Sequence, residues 1–283
     1  MRRTTPGVDP PPEVDPATAD GHDRHVPTGS NDILSVGHEG VYEWAAEHLV
    51  GAGSTFLDFG CGTGYGAGRI LAAGAAYDGV DSSQTAIGYA QSHFARPGVR
   101  FYVADLLEAL PAAIMPRSYD VVFSSEVLEH VLDPFAFVAA MAGCMKEDGT
   151  CFIGTPNRLW SKEHMPRGEL LAESHVMEFT PPALLALLQT LFEEVELVFR
   201  RLPDDANGFT THTSHRPRLV RAALAFGHEV APAASLRFRA ALAGRKADRQ
   251  WSSGDISWLR ADDPQLDVLG CVGLVAVCRA PRR

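Results

Sequence analysis

Phe56-Leu57-Asp58-Phe59-Gly60-Cys61-Gly62-Thr63-Gly64-Tyr65-Gly66 is the stretch on which the reading of this chain turns. Thr55 to Phe59 reads as a short buried strand. Gly60, Gly62 and Gly64 follow as a loop without Cβ atoms, and a helix is predicted through Ala67, Ile70, Leu71 and Ala72. A glycine loop between a strand and a helix lets a ligand lie against backbone N–H groups at a helix N-terminus. The ligand class it suits is nucleotide-like.

Around this stretch, strands and helices alternate. Apolar residues at helical spacing (Val41, Trp44, Ala45, Leu49) place a helix over 38–49, before the first strand. Strands are predicted over 77–81, 99–104, 119–124, 150–154, 195–199 and 268–278. Helices are predicted over 85–94 and 135–145, the latter ended by the turn Glu147-Asp148-Gly149, and a further helix opens at Pro181-Pro182. This alternation predicts an α/β fold: a doubly wound, seven-stranded, mostly parallel sheet. Residues 1–30, rich in Pro, Asp, Thr and Gly, read as a disordered tail. The folded domain covers 31–201 and 266–283, and 202–265 is an Arg-rich helical insertion before the last strand. Its helical patterns lie near Leu219–Phe226 and Ala234–Leu242, and it reads as an acceptor-pocket element or a contact for a homodimer.

Composition narrows the partners. The 283 residues are 46% hydrophobic, enough for one sizeable core. No apolar run approaches the ~20 residues of a membrane span, so no membrane partner is expected. Arg2-Arg3 is followed by prolines and acids rather than an apolar stretch, which argues against a signal peptide. Five cysteines without C-x-x-C spacing read as buried free thiols, and the expected compartment is the cytoplasm. A net charge of −10 argues against nucleic acid as the main partner.

Three acids narrow the ligand. Asp58 stands two residues before Gly60, where a carboxylate repels pyrophosphate and suits an ammonium or sulfonium. Asp81 ends the second strand, where it can accept from both hydroxyls of a ribose. Asp105 follows the third strand, placed either to accept from an adenine amino group or to cap a helix before Leu106. These requirements describe S-adenosylmethionine (SAM). Leu57–Gly64, Gly79-Val80-Asp81-Ser82, Ala104-Asp105 and Tyr119-Asp120-Val121-Val122 together resemble the four motifs of class I SAM-dependent methyltransferases. The resemblance covers about 39–200 and the final strand. It implies a cofactor site of Asp58, Gly60, Gly62, Gly64, Asp81, Ser82, Asp105, Leu106 and Ser124.

A second constellation follows strand four: Ser124-Ser125-Glu126-Val127-Leu128-Glu129-His130. A helical turn starting near Ser125 would put 126, 129 and 130 on one face. Two carboxylates this close repel unless a cation or a proton joins them, and a divalent metal resolves that economically. The alternative is a solvent-facing Glu126 and a His130 that packs over SAM or caps a helix. Glu126–His130, Gly154-Thr155-Pro156-Asn157 and His175-Val176-Met177-Glu178-Phe179 resemble two groups of metal-dependent methyltransferases. These are the ubiquinone-pathway O-methyltransferases and the small-RNA 3′-terminal 2′-O-methyltransferases. That resemblance implies a metal set of Glu126, Glu129, His130 and His175, suited to Mg²⁺ or Mn²⁺. His130 or His175 then either ligates the metal or takes the acceptor's proton.

The leading function is methyl transfer from SAM to a hydroxyl of a small hydroxylated metabolite, a natural-product or sugar-like acceptor. The alternatives are metal-free N-methylation of an amino sugar or other small amine, 2′-O-methylation of an RNA 3′ end, and a non-enzymatic SAM-binding subunit. His38, Tyr42 and Trp44 either close over the cofactor or pack on the sheet. His212, His215 and the arginines of the insertion either line an acceptor pocket or form a solvated face.

Overall fold

The computed structural model describes residues 33–203 and 252–282, apart from 109, 115, 117, 166, 167 and 173. The tail over 1–30, the helical patterns of the insertion, its arginines from Arg216 to Arg249, and His212 and His215 lie outside the described residues.

The strands are β1 (Thr55–Phe59), β2 (Ala76–Asp81), β3 (Val99–Val103), β4 (Tyr119–Ser125), β5 (Met145–Pro156), β6 (Phe192–Arg201), β7 (Ser257–Arg260) and β8 (Gly273–Pro281). They form one sheet in the order β3-β2-β1-β4-β5-β8-β6-β7. β1 to β5 pair in parallel, β8 is antiparallel to both β5 and β6, and β7 is antiparallel to β6. The helices are α1 (Ile33–His48), α2 (Ala67–Ala72), α3 (Gln84–Phe94), α4 (Pro134–Cys144), α5 (Arg158–His164) and α6 (Pro181–Gln189).

Helices cover both faces, as the alternation predicts. Val41, Ala45, Ile70 and Ile87, from α1 to α3, pack with Phe56, Phe123 and Phe152 on one face. Phe137 and Met141 of α4 and Leu184 and Leu188 of α6 pack with Leu57, Val122 and Ile153 on the other. Neighbouring strand residues thus serve opposite layers, with each buried side chain contributing about 1.5–3 kcal/mol. The helices start where the sequence offers caps. Ser83, Asp133 and Thr180 each accept an N–H of the first turn, and proline follows Asp133 and Thr180.

Three details differ from the predicted pattern. The sheet has eight strands, not seven. The extra strand, β7, lies in the stretch read as a helical insertion, and buries Leu259 while pairing it with Phe199 of β6. A four-residue strand is too short to show a period of its own. Glu147-Asp148-Gly149 does not separate α4 from β5. The pairing jumps from Tyr119↔Met145 to Val121↔Thr150, so these residues form a bulge within one strand. A Cβ on Gly149 would lie 2.8 Å from Met145 Cγ and 3.0 Å from the Tyr119 carbonyl oxygen, which is why glycine stands there. Val268–Gly270 is a 3₁₀ turn, not strand, because Asp267 accepts the Leu269 N–H and starts the turn.

All five cysteines are free and buried. Among the described residues, no helix is long and apolar enough to cross a membrane. The chain leaves β1 toward β2 and β3, then returns to place β4 on the other side of β1. That reversal opens a crevice at the carboxyl ends of β1 and β4, where open α/β sheets bind ligands.

Candidate functional site

The glycine loop floors the crevice. Gly60, Gly62 and Gly64 have φ of 94°, 53° and 75°, the left-handed region that glycine adopts without strain. A Cβ on Gly60 would lie 2.5 Å from Val127 Cγ2. The Gly60 and Cys61 N–H groups both donate to the Val80 carbonyl, at 2.8 and 3.0 Å, which ties the loop to β2.

Asp58 lies fully buried beneath this loop. Its Oδ2 accepts from the Tyr42 hydroxyl at 2.8 Å and the Tyr77 hydroxyl at 2.6 Å. Its Oδ1 has no hydrogen-bond partner. Burial pushes its carboxyl up to about 7 against the two phenol bonds that favour the anion, and the Asp81 charge adds to the rise. A buried carboxylate oxygen without a donor is complementary to a cationic group. Asp81 braces the loop, accepting from Gly62 N–H on Oδ2 and Ser83 N–H on Oδ1, both at 2.9 Å. Asp81, Ser82, Asp105 and Leu106 stand together on one wall of the crevice. Asp105 Oδ1 also accepts from Leu107 N–H at 2.9 Å, so the local capping bond and the place on the wall coexist, before a turn rather than a helix.

Ser124 is placed differently from the expectation. It is buried, and its hydroxyl donates to the Phe59 carbonyl at 2.8 Å, stitching β4 to β1. Its neighbour Ser125 stands on the crevice wall instead. Side chains of adjacent strand residues point to opposite faces, so both serines do not serve one pocket.

The expected helical turn from Ser125 does not form. β4 continues through Ser125, Glu126 turns the chain at φ 57°, and a 3₁₀ turn spans Leu128–His130. Glu126 is not part of the group of ligand atoms that gathers here. It lines the crevice, and its Oε1 lies 3.0 Å from Arg200 Nη2 of β6. The other three come together: ligand atoms of Glu129, His130 and His175 lie within 4.8 Å of one another. Glu129 is fully buried, with Oε2 accepting from the Thr155 hydroxyl at 3.0 Å. Its Oε1 has no hydrogen-bond partner and lies 3.9 Å from His130 Nε2. Burial first, then the Glu126 charge, pushes the Glu129 carboxyl well above the usual range.

Second contacts orient both imidazoles. His130 Nδ1 lies 3.0 Å from the Ser174 carbonyl, and His175 Nδ1 lies 2.8 Å from Glu178 Oε1. A carbonyl can only accept, so in the neutral ring of His130 the proton sits on Nδ1 and Nε2 keeps the lone pair. The Val176 and Met177 N–H groups donate to the Glu129 carbonyl at 2.8 and 3.2 Å, which holds the His175 segment against the 3₁₀ turn. An unsatisfied buried carboxylate oxygen beside two imidazoles is a donor set that fits a divalent cation.

Several partners have no local signal in the sequence. Tyr77 opens a predicted strand, Arg200 lies just past the strand predicted over 195–199, and Arg200 meets a residue 74 positions away. Tyr42 joins the two readings of α1: it packs in the core at 4.7 Å from the Phe123 ring and bonds Asp58. Trp44 packs only, against Phe152 and Trp258.

Residues 57–153 match the family model described as a methyltransferase domain. Those residues carry a methyltransferase domain. Over 116 residues it is 38% identical to a ubiquinone biosynthesis O-methyltransferase of Paraburkholderia phytofirmans, covering 41% of this chain and 50% of that one. A protein of the same name from Stutzerimonas stutzeri is 33% identical over 115 residues, with the same coverage. The chain thus aligns with about half the length of these relatives. The fold matches a SAM-dependent methyltransferase of Archaeoglobus fulgidus with TM-score 0.54 at 16% identity, over 87% of this chain and 93% of that one. It also matches a phosphoethanolamine N-methyltransferase 2 of Haemonchus contortus, solved with S-adenosylhomocysteine, with TM-score 0.51 at 17% identity. That match spans 86% of this chain and 52% of the Haemonchus protein.

Proposed function

We propose that this methyltransferase domain moves a methyl group from SAM to a hydroxyl of a small hydroxylated acceptor, assisted by a divalent cation held by Glu129, His130 and His175. The observation that carries the cation is the buried, unpartnered Glu129 Oε1 beside two imidazoles, one of them at the crevice wall. O-methylation is further supported by the names of the curated relatives.

SAM brings a methyl group on a sulfonium, open to direct displacement. The chain's part is mostly placement. Asp58 Oδ1, buried without a donor, favours the ammonium of the methionine end. Asp81 keeps acceptor capacity toward the ribose while bracing Gly62, and Asp105 stands where the adenine amino group donates. A divalent cation at the cluster would lower the pKa of a hydroxyl bound to it. With Nδ1 of each ring held by the Ser174 carbonyl or the Glu178 carboxylate, His130 and His175 would offer Nε2 to that position. Glu126 pairs with Arg200, so the gathered set has two nitrogens and few oxygens, which favours Mn²⁺ over Mg²⁺.

The test is methyl transfer from labelled SAM to a panel of catechols, vicinal diols and amines, before and after metal stripping with EDTA. Hydroxyl methylation that falls at least tenfold on stripping and returns with Mn²⁺ supports the proposal. Full activity after stripping removes the metal. Transfer to amines alone moves the acceptor to nitrogen.

A further inference from the structure

Glu178 is enclosed between α5 and the segment that carries His175, and its side chain is 0% exposed. Oε1 faces His175 Nδ1 at 2.8 Å and also accepts the Leu171 N–H. Oε2 accepts from the Ser161 hydroxyl of α5 and lies 3.9 Å from Arg158 Nη1. Donors from three separate stretches of chain thus converge on one carboxylate. A buried charge is retained where its partners satisfy it, and here the donors do so without help from solvent. His175 meets His130 nearly edge-on, with ring centres 4.9 Å apart at 82°. A rotation or tautomer change of His175 would therefore reach the cluster directly.

We infer that Glu178 is a positioning residue, which holds His175 as the Nδ1–H tautomer so that the lone pair of Nε2 belongs to the Glu129–His130 cluster. A carboxylate behind a histidine fixes ring orientation and makes the far nitrogen more basic. The use of that lone pair for a metal rests on the proposed function; the tautomer itself does not.

The test uses the full chain, labelled with ¹⁵N-histidine and saturated with S-adenosylhomocysteine. Long-range ¹H–¹⁵N correlation reads the tautomer of His175, assigned through the loss of its signals in His175→Gln. The wild type is expected to show a protonated Nδ1 and an unprotonated Nε2. Glu178→Ala is expected to lose that preference and to bind Mn²⁺ about 10–100-fold more weakly. Affinity for S-adenosylhomocysteine should stay within about twofold, since Glu178 is absent from the crevice wall. If the alanine variant does not fold, Glu178→Gln carries the test: the Nδ1 proton resonance should move upfield as its acceptor loses charge. An Nε2–H tautomer in the wild type overturns the inference. So does an unchanged tautomer in Glu178→Ala, or an unmoved Nδ1 proton in Glu178→Gln. A wild type with the stated tautomer but no Mn²⁺ affinity removes the metal from the proposed function and leaves the role of Glu178 standing.

Discussion

Arg200 Nη2 lies 3.0 Å from Glu126 Oε1, joining β6 to the corner where β4 ends. The side chains are only 10% and 20% exposed, and Arg200 Nη1 also donates to the Gly37 carbonyl of α1 at 3.3 Å. Breaking a mostly buried pair from one side leaves the other charge uncompensated. Arg200→Met and Glu126→Gln should each cost about 2–3 kcal/mol in urea unfolding, and the double variant less than their sum. Strict additivity in this cycle would show that the pair does not hold the corner.

Gly60 has φ 94°, and a Cβ there would meet Val127 Cγ2. Gly60→Ala should cost about 2–4 kcal/mol from backbone strain plus the clash. Adding Val127→Ala relieves the clash alone, so thermal melting should recover only in part. Complete recovery would show that the left-handed backbone carries no strain.

The Asp58 carboxyl, at about 7 in the fold against an ordinary 3.8, sets a pH dependence. Between these values the folded chain keeps a proton that the unfolded chain has released. This contribution to stability is full below about 4 and is lost as pH rises through about 7. Asp58→Asn removes it, so the variant's stability relative to wild type should improve from pH 5 to pH 8. Binding of the ammonium of the methionine end runs the other way: affinity for S-adenosylhomocysteine, which keeps that ammonium, should rise through pH 7 in the wild type and stay flat in Asp58→Asn. Parallel pH profiles for the two proteins would remove Asp58 from the cofactor site.

Glu129 holds a buried carboxylate oxygen with no donor, and desolvation without a partner is costly. Glu129→Gln should raise the melting temperature of the metal-stripped chain and abolish any rise on adding Mn²⁺. A variant stabilised by Mn²⁺ as much as the wild type would place the cation elsewhere.

Local signals carried the sheet. Phe56–Phe59 and the glycines after it fixed β1, the loop and the start of α2, because an apolar run and a missing Cβ act on their immediate neighbours. The acids at 58, 81 and 105 stand out in the sequence because each lies in, at or just after the last residues of a parallel strand. Of the four residues the resemblance singles out, Glu129, His130 and His175 lie together. The position of Glu126 was not legible. Its left-handed turn and its partner Arg200 depend on β6, which arrives 74 residues later. Tyr42 and Tyr77 bond Asp58 from a helix and a neighbouring strand, contacts that no spacing within the motif encodes. β7 exists because β6 offers it an edge, and four residues alone show no period.

The most direct measurement is a Mn²⁺ titration of the metal-stripped chain with S-adenosylhomocysteine bound, following free Mn²⁺ by electron paramagnetic resonance. The expected result is about one ion bound per wild-type chain, and none in Glu129→Gln or His175→Ala. A wild type that leaves all the Mn²⁺ free, while still binding S-adenosylhomocysteine, would contradict cation-assisted methyl transfer at this cluster.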